Sequence, residues 1–580
     1  MKLSVLALDY DGTIATTDTL APCAREAIAA ARASGILVLL VTGRILDDLR
    51  ALTGDLHFVD GVVAENGGVV HFPDSEYTSV LAPPTSTAFL EELRRRGIPH
   101  RAGHSLVDAE AVDGAVMLDV IRALELPLVL VFNRSRVMGM SQGVSKATGL
   151  RTALDVLRAS ARNTVAIGDA ENDHELLRLA EVGIAVEWGC PSLRAAADMV
   201  LHGTGPGDVA RQIRALAEGG RLPVPERARR RLRLGFGEDG REFSLAVRGR
   251  NILVTGDARS GKSWMAGLLS EQLILHGYSL CVIDPEGDYR ALEGLPGVAV
   301  LGGSNSPPPP SDVQEALRYP DRSVVIDLSH QRHDAKVQYV RALLPGLSGM
   351  RRRTGLPHRI VIDEAHHFLH ESDAGPLIDL TFNGYIVVTY CASRLPATLR
   401  GATEVVIATC ESDPAEIEGL HTMCACGGCG QTDCACWCQR IRHLRPGQAA
   451  ALPMTSETEG EVRVFTMARR LTPHVRHREK YGDVPVAEDR AFVFEATGQR
   501  ASTLRAFVSV LSASTSEALA GHLRRGDFSR WIRDVFGDHA LAAALDTQEA
   551  RYRIDGDADA VPDIVNAVRS RYDLDDTPAA

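Results

Sequence analysis

The chain has 580 residues, 45% of them hydrophobic and 24% charged, which is too long for a single core and too apolar for disorder on a large scale. A formal net charge of −12 excludes a protein coated in positive potential and confines any nucleic-acid surface to a local channel. The opening run Lys2 to Leu8 is broken by Asp9 too early for a signal peptide, and no later run reaches membrane-spanning length, so a cytoplasmic protein without membrane contact is expected.

Lys2 to Leu8 suits a buried parallel strand, and it ends in Asp9-Tyr10-Asp11-Gly12-Thr13. Two carboxylates one residue apart then stand at the C-terminal end of the strand, where open α/β sheets place their sites. One can attack a phosphoryl group while the other handles the proton of the leaving group. A second apolar run, Ile36 to Val41, ends in Thr42-Gly43-Arg44. A third, Thr164 to Ile167, ends in Gly168-Asp169-Ala170-Glu171-Asn172-Asp173, a cluster of hard oxygen donors suited to Mg²⁺. Lys146 precedes it, at the head of a helix running through Leu150 to Leu157.

These motifs, in this order, resemble the haloacid dehalogenase (HAD) superfamily, in particular the Cof-type, subclass IIB phosphatases, over roughly residues 1–218. The resemblance implies Asp9 as the nucleophile that forms an aspartyl-phosphate and Asp11 as general acid, then base. It also implies that Thr42 and Lys146 hold the transferring phosphoryl group. Mg²⁺ would be held by Asp9, the Asp11 carbonyl and Asp169, with Asn172 and Asp173 supporting the metal shell. Ala64-Glu65-Asn66-Gly67-Gly68 looks like the turn before the cap of this subclass, and the cap is expected over about 82–135. Its shortness favours a small phosphoester or an exposed end of a larger molecule. Arg134 and Arg136 can meet an anionic substrate group, although solvation is the default for loop arginines.

Residues 219–233 read as a linker, and its arginine run Arg227 to Arg231 reads as a solvated helix face. A strand, Asn251 to Thr255, then enters Gly256-Asp257-Ala258-Arg259-Ser260-Gly261-Lys262-Ser263, followed by an apolar helix from Trp264. A glycine-framed turn between strand and helix points backbone N–H groups at phosphate oxygens, with the positive end of the helix dipole behind them. Lys262 would reach the β- and γ-phosphates of ATP and Ser263 would hold magnesium. Downstream, Ser279 to Ile283 runs into Asp284-Pro285-Glu286-Gly287-Asp288-Tyr289, and Ser311 with Gln314 forms a capping-box pattern. The strand Arg359 to Ile362 runs into Asp363-Glu364-Ala365-His366-His367. Asp363 would accept the water shell of the magnesium, and Glu364 would polarise the attacking water. Tyr385 to Thr389 is a further strand, with Thr389 placed as the sensor of the γ-phosphate.

These stretches resemble the HerA/FtsK branch of P-loop ATPases, over roughly residues 234–470. The resemblance implies a homo-oligomeric ring, often hexameric, acting on DNA, with an arginine from one subunit completing the site of the next. Arg351, Arg352, Arg353 and Arg394 are the candidates for that arginine. Two departures stand out: Tyr390 follows the sensor where the family often has Gln, and a phosphatase stands where its DNA motors usually carry a β-barrel.

Of eleven cysteines, six lie within 424–438. Cys424, Cys426, Cys429, Cys434, Cys436 and Cys438 suit a structural Zn²⁺ held by four of the six, with His421 in reserve, within an insertion over 421–439. Reduced, unligated thiols and a redox-active loop are the alternatives. Residues 471–488 read as a second linker, and 489–580 as a small, mainly helical domain. Strand pattern is expected at Ala491 to Ala496, and helices at Ala501 to Val510, Ser516 to Leu523, Phe528 to Val535 and Ala540 to Leu545.

The expected architecture is α/β and multidomain: a Rossmann-like HAD domain with a small α+β cap, a P-loop NTPase domain and a helical C-terminal part. The expected function is Mg²⁺-dependent phosphomonoester hydrolysis on a phosphorylated small molecule or nucleic-acid end, joined to an ATPase acting on nucleic acid. The alternative makes the ATPase a switch that gates a sugar or metabolite phosphatase and has no nucleic-acid role.

Overall fold

The structure is a computed structural model and describes residues 1–225, 227–247, 249–369, 377–424, 435–452, 462–473, 486, 490–536, 538–556, 559–572 and 574. The chain forms two compact units. One comprises Met1–Arg230 with the short pieces Arg318–Asp321 and Arg351–His358, and the other takes the remainder.

In the first unit, continuous apolar runs become strands covered on both faces, as parallel pairing requires. Val5–Asp9 lies between Leu37–Val41 and Thr164–Gly168, parallel to both. Its side chains alternate between two cores: Leu6 and Leu8 join one, while Val5 and Ala7 join the other. The sheet extends through Val182–Val186 and Met199–Leu201 on one side and Gly61–Ala64 on the other, then closes antiparallel with Val69–Phe72 and Tyr77–Val80. Because the three central strands share a register, Asp9, Thr42 and Asp169 emerge together at one sheet edge.

The cap is a separate antiparallel sheet in the order Leu128–Asn133, Arg136–Ser141, Leu106–Glu110, His100–Ala102. Helices Thr87–Arg95 and Gly114–Ala123 supply its core, through Phe89, Leu93, Met117 and Val120. The strand Arg136–Ser141 carries this sheet beyond residue 135, since it is the returning arm of the hairpin that begins at Leu128. The arginine run also departs from expectation. Arg229 pairs with Asp198, and Arg230 donates to the carbonyls of Arg178, Ala180 and Glu181, so these two guanidiniums cap exposed carbonyls and a carboxylate instead of facing water.

In the second unit, Ile252–Thr255 lies between Tyr385–Thr389 and Val405–Ala408, and Arg359–Ile362 lies one strand further out, beside Leu280–Asp284. Ser323–Asp327 and Val298–Gly302 continue the parallel part, while Gln448–Ala451, Arg463–Met467, Arg231–Gly237 and Glu242–Ala246 form an antiparallel wing. Helix Lys262–Leu275 is apolar nearly all round and correspondingly buried. The capping-box expectation at Ser311 fails, because the helix begins at Pro310 after Pro309 and the Ser311 hydroxyl turns to Asp312.

The C-terminal part belongs to this second unit. Its helices are Leu504–Ala513, Ser516–Arg525, Asp527–Phe536, His539–Asp555 and Ala560–Tyr572. Phe492, Phe494, Phe507, Phe528 and Trp531 form its core, in keeping with a packing role for its aromatic residues. The expected strand shortens to Phe492–Val493, paired with Arg500–Ala501. No helix among the described residues is long and apolar enough to cross a membrane.

Two candidate active sites

The first site lies at the C-terminal edge of Val5–Asp9. Asp9, Thr42, Lys146, Asp169 and Asp173 are all buried. Lys146 heads the helix Lys146–Val156, whose start is fixed by a capping box at Ser145 and Thr148. Its ammonium lies 2.6 Å from Asp9 Oδ1 and 2.6 Å from Asp173 Oδ1. Burial alone would neutralise such an amine, but Asp173 and Asp9 outweigh it and hold Lys146 above its ordinary pKa. Burial pushes the Asp9 carboxyl up to about 7, with Asp173 adding to the rise and Lys146 opposing it. Thr13 donates to Asp9 Oδ2 at 3.2 Å, and Thr42 Oγ1 accepts from the amide of Arg44.

Asp11 stands differently from Asp9. Its side chain is 40% exposed and takes a bidentate contact from Arg44, at 2.7 and 2.5 Å. Arg44 had no role assigned from sequence, although the Thr-Gly-Arg ending of its strand was the available signal. The cap contributes a further unforeseen contact: Arg134 pairs with Asp169 instead of being solvated, while Arg136 pairs with Asp108 and Glu110.

Asp9, Asp169 and Asp173 bring carboxylate oxygens within 4.8 Å of one another. Asp169 Oδ1 is buried and has no hydrogen-bond partner among the described residues. This hard-oxygen donor set fits Mg²⁺. Asp173 is engaged elsewhere, accepting from Lys146 and from the amides of Asp169 and Ala170, so it braces the loop. Asn172 donates to Asn66 at 3.1 Å.

The second site gathers the phosphate loop and the acidic strand end. Gly256 has φ +145 and Gly261 φ +108, and a Cβ on Gly256 would overlap the Thr409 hydroxyl, so this loop conformation requires glycine. Lys262 Nζ donates to Asp257 O at 2.8 Å, folding back along the loop, and Ser263 follows it into the helix. Asp363 is buried; its Oδ1 accepts the Glu364 amide, and its Oδ2 is without a hydrogen-bond partner among the described residues, which suits a magnesium water shell. Burial pushes Asp363 well above the usual carboxylate range, helped by Glu364, Asp288 and Asp284. Burial likewise lifts Glu364 to about 7; Lys262 and Lys336 oppose the rise, while Glu286 and Asp288 add to it.

Asp284 organises the adjoining loop, accepting amides from Glu286, Gly287, Asp288 and Tyr289. Lys336 donates to the Pro285 carbonyl at 2.8 Å and lies 3.6 Å from Glu286, a part that no local sequence signal marks. The sensor position also carries a second partner. Thr389 Oγ1 lies 3.1 Å from His366 Nδ1, which is itself 3.4 Å from Glu364. Tyr390 packs edge-on against His366 and donates to the Val535 carbonyl at 3.4 Å. Arg351 is buried, which removes it as a group reaching a neighbouring subunit, whereas Arg352, Arg353 and Arg394 are exposed.

Of the cysteine cluster, Cys424 is buried, and Cys438 Sγ lies 2.6 Å from His421 Nε2. Cys426, Cys429 and Cys434, and the side chain of Cys436, fall outside the described residues.

Fold and site together define a hydrolase with two nucleotide- or phosphate-handling centres. Residues 6–98 and 131–212 match the haloacid dehalogenase-like hydrolase family, and residues 247–338 match the central domain of helicase HerA. Phosphoglycolate phosphatase of Methanothermobacter thermautotrophicus is 33% identical over 223 residues, 36% of this chain and 99% of that relative. The phosphoglycolate phosphatase of Natronomonas pharaonis is 33% identical over 207 residues, 34% of this chain and 89% of its own length. The chain therefore belongs, through its N-terminal region, to the haloacid dehalogenase-like hydrolases, and it joins that enzyme to a HerA-type P-loop ATPase domain. Among solved structures, Thermoplasma acidophilum 0175 has TM-score 0.33 and 21% identity, covering 38% of this chain and 99% of that one. A HAD subclass IIB sugar phosphatase has TM-score 0.32 and 19% identity, covering 38% of this chain and all of that one.

Proposed function

We propose that the first site hydrolyses a small phosphomonoester with magnesium as cofactor. The observation that carries this reading is the meeting of Asp9, Lys146 and Asp169 at one sheet edge, with a buried, unpartnered oxygen on Asp169. Asp9 attacks phosphorus and forms an aspartyl-phosphate; Asp11 protonates the departing alkoxide, then takes a proton from the water that hydrolyses the intermediate. Thr42 and Lys146 hold the phosphoryl oxygens. Mg²⁺, held by Asp9, the Asp11 carbonyl and Asp169, would supply charge neutralisation at phosphorus. The names of the curated relatives favour a small carboxylated ester such as phosphoglycolate over a nucleic-acid end. The test is phosphate release from 2-phosphoglycolate by wild type and Asp9→Asn, with magnesium and with chelator; turnover that survives either change would remove the reading.

The second site, in the same proposal, hydrolyses ATP. Lys262 and Ser263 hold the triphosphate and its magnesium, Asp363 the water shell, Thr389 senses the γ-phosphate, and Glu364 takes the proton of the attacking water. A carboxyl poised near 7 suits that proton transfer. The HerA match supports a ring of identical subunits acting on DNA, with Arg352, Arg353 or Arg394 entering the neighbouring site. ATP turnover measured with and without DNA across a salt series decides it, since phosphate contacts make the stimulation steeply salt-dependent. A rate indifferent to DNA at low salt would leave the switch reading in its place. The cysteine cluster is read as a structural zinc centre, supported by the closeness of His421 and Cys438, and metal analysis of the purified chain tests it.

A further inference from the structure

Among the described residues, three cations reach the carboxylates around Asp9, and two of them are committed. Lys146 is shared between Asp9 and Asp173, and Arg44 holds Asp11 and also pairs with Asp18. The third, Arg134, comes from the cap. It occupies the turn between strands Leu128–Asn133 and Arg136–Ser141, in a left-handed backbone conformation with φ +53, and its guanidinium meets the Asp169 carboxylate. Asp169 is fully buried, whereas the Arg134 side chain is 54% exposed, so Arg134 bridges the pocket mouth and the pocket floor. Gly12, at φ +79, runs directly beneath this contact: a Cβ there would overlap Asp169 Oδ2 and crowd Arg134 Nη2. The other cap arginines near the site are held elsewhere, Arg136 by Asp108 and Glu110 and Arg101 by Asp48 and Asp108.

Asp169 offers a cation its unpartnered Oδ1 while Oδ2 meets Arg134, so a metal and the guanidinium would share the charge of one carboxylate. A divalent ion on Oδ1 would draw on that charge and weaken the hold on Arg134. The guanidinium stays tethered to its hairpin at the mouth of the pocket, with its planar donor fork free for another carboxylate. Lys146 and Thr42 already face the phosphoryl position, so the anion left for Arg134 is one carried on the rest of the substrate.

We propose that Arg134 is the specificity residue of the phosphatase: it exchanges Asp169 for a carboxylate on the substrate when magnesium occupies the site, selecting small phosphoesters that bear a second anionic group. This rests on the phosphatase reading above.

The test pairs 2-phosphoglycolate with 2-hydroxyethyl phosphate, a neutral-tailed ester of similar size, on wild type, Arg134→Gln and Arg134→Lys. Arg134→Gln lowers kcat/KM for 2-phosphoglycolate about tenfold to hundredfold, mainly through KM, and changes 2-hydroxyethyl phosphate by less than about threefold, while Arg134→Lys restores part of the loss. Separately from turnover, Mg²⁺ titrated calorimetrically into the substrate-free chain binds Arg134→Gln several-fold more tightly than wild type, because the competitor for Asp169 is gone. Equal losses on both esters, or a magnesium affinity that is unchanged or weakened, would overturn the role of Arg134. Failure of wild type to hydrolyse either ester would instead remove the phosphatase reading itself, and the Arg134 assignment with it.

Discussion

Lys146 Nζ lies 2.6 Å from Asp9 Oδ1 and at the same distance from Asp173 Oδ1, so one buried ammonium holds two buried carboxylates apart. Burial already pushes the Asp9 carboxyl up to about 7 against the opposing charge of Lys146. Replacing Lys146 by Met removes the shared partner, and breaking a buried pair in this way costs about 3–5 kcal/mol. The loss is expected to be larger at pH 7.5 than at pH 5.5, because proton uptake by the stranded Asp9 carboxyl relieves it. Thermal unfolding of wild type and Lys146→Met at the two pH values, in magnesium-free buffer, measures the difference. Phosphate release is expected to fall by about a hundredfold or more, since the transferring group loses its fixed cation.

The strands that lead into Asp9, Asp169, the phosphate loop and Asp363 are legible in the sequence because a buried parallel strand is a short apolar run, and its polar ending marks the sheet edge. The reach of single arginines was not legible. Arg134, Arg229 and Arg230 each sit in a polar stretch whose default is water, and only the folded chain brings Asp169, Asp198 or open carbonyls within range. Helix Ala560–Tyr572 is masked in the sequence for a local reason: Pro562 lies in its first turn, where a missing N–H is harmless but where it reads as a breaker. Lys336 shows the same limit, as its partners at Pro285 and Glu286 come from a distant loop.

Glu364 and Asp9 lie in the two candidate sites, and under the proposed function their variants should separate the two activities. Glu364→Gln leaves Lys262 and the phosphate loop intact, so ATP still binds while turnover falls by about a hundredfold or more. Ester hydrolysis by this variant is expected to match wild type, and Asp9→Asn is expected to show the reverse pattern. Parallel assays of the two phosphate-release reactions check this. A change in ester hydrolysis on adding ATP to wild type, absent in Glu364→Gln, would favour the gated-switch reading.

Arg259 stands at the tip of the phosphate loop with φ +62, and its guanidinium lies 5.2 Å from the ring centroid of Tyr572 in the last helix. Tyr572 is itself fixed, donating to Asp538 Oδ2 at 3.1 Å beside the Arg571 contact with the same carboxylate. A cation–π contact of this kind is worth about 0.5–1 kcal/mol, so Tyr572→Ala is expected to raise the Kd for ATP by about two- to fivefold. Arg259→Ala should have a similar effect on ATP binding, and the double variant should add little to Tyr572→Ala, because the contact the two residues share is already gone. Titration with a fluorescent nucleotide across the four chains measures the coupling.

Glu411 lies against the phosphate loop, where burial, and then the charge of Asp257, push its carboxyl from an ordinary 4.5 up to about 9. The folded chain therefore keeps a proton on Glu411 that the unfolded chain releases above 4.5. Its contribution to stability is complete below 4.5 and is lost as pH rises towards about 9, at up to about 1.4 kcal/mol per pH unit for a single group. Gln cannot ionise, yet its amide oxygen can still accept the Asp413 amide as Glu411 Oε1 does. Glu411→Gln is expected to melt near the wild-type temperature at pH 4.5 and above it at pH 8.5, by about 2–4 °C for each kcal/mol recovered. Melting curves of the ATPase unit at the two pH values, followed with and without ATP to identify its transition, decide the matter. Parallel pH dependence in both proteins would show that Glu411 is already ionised in the fold.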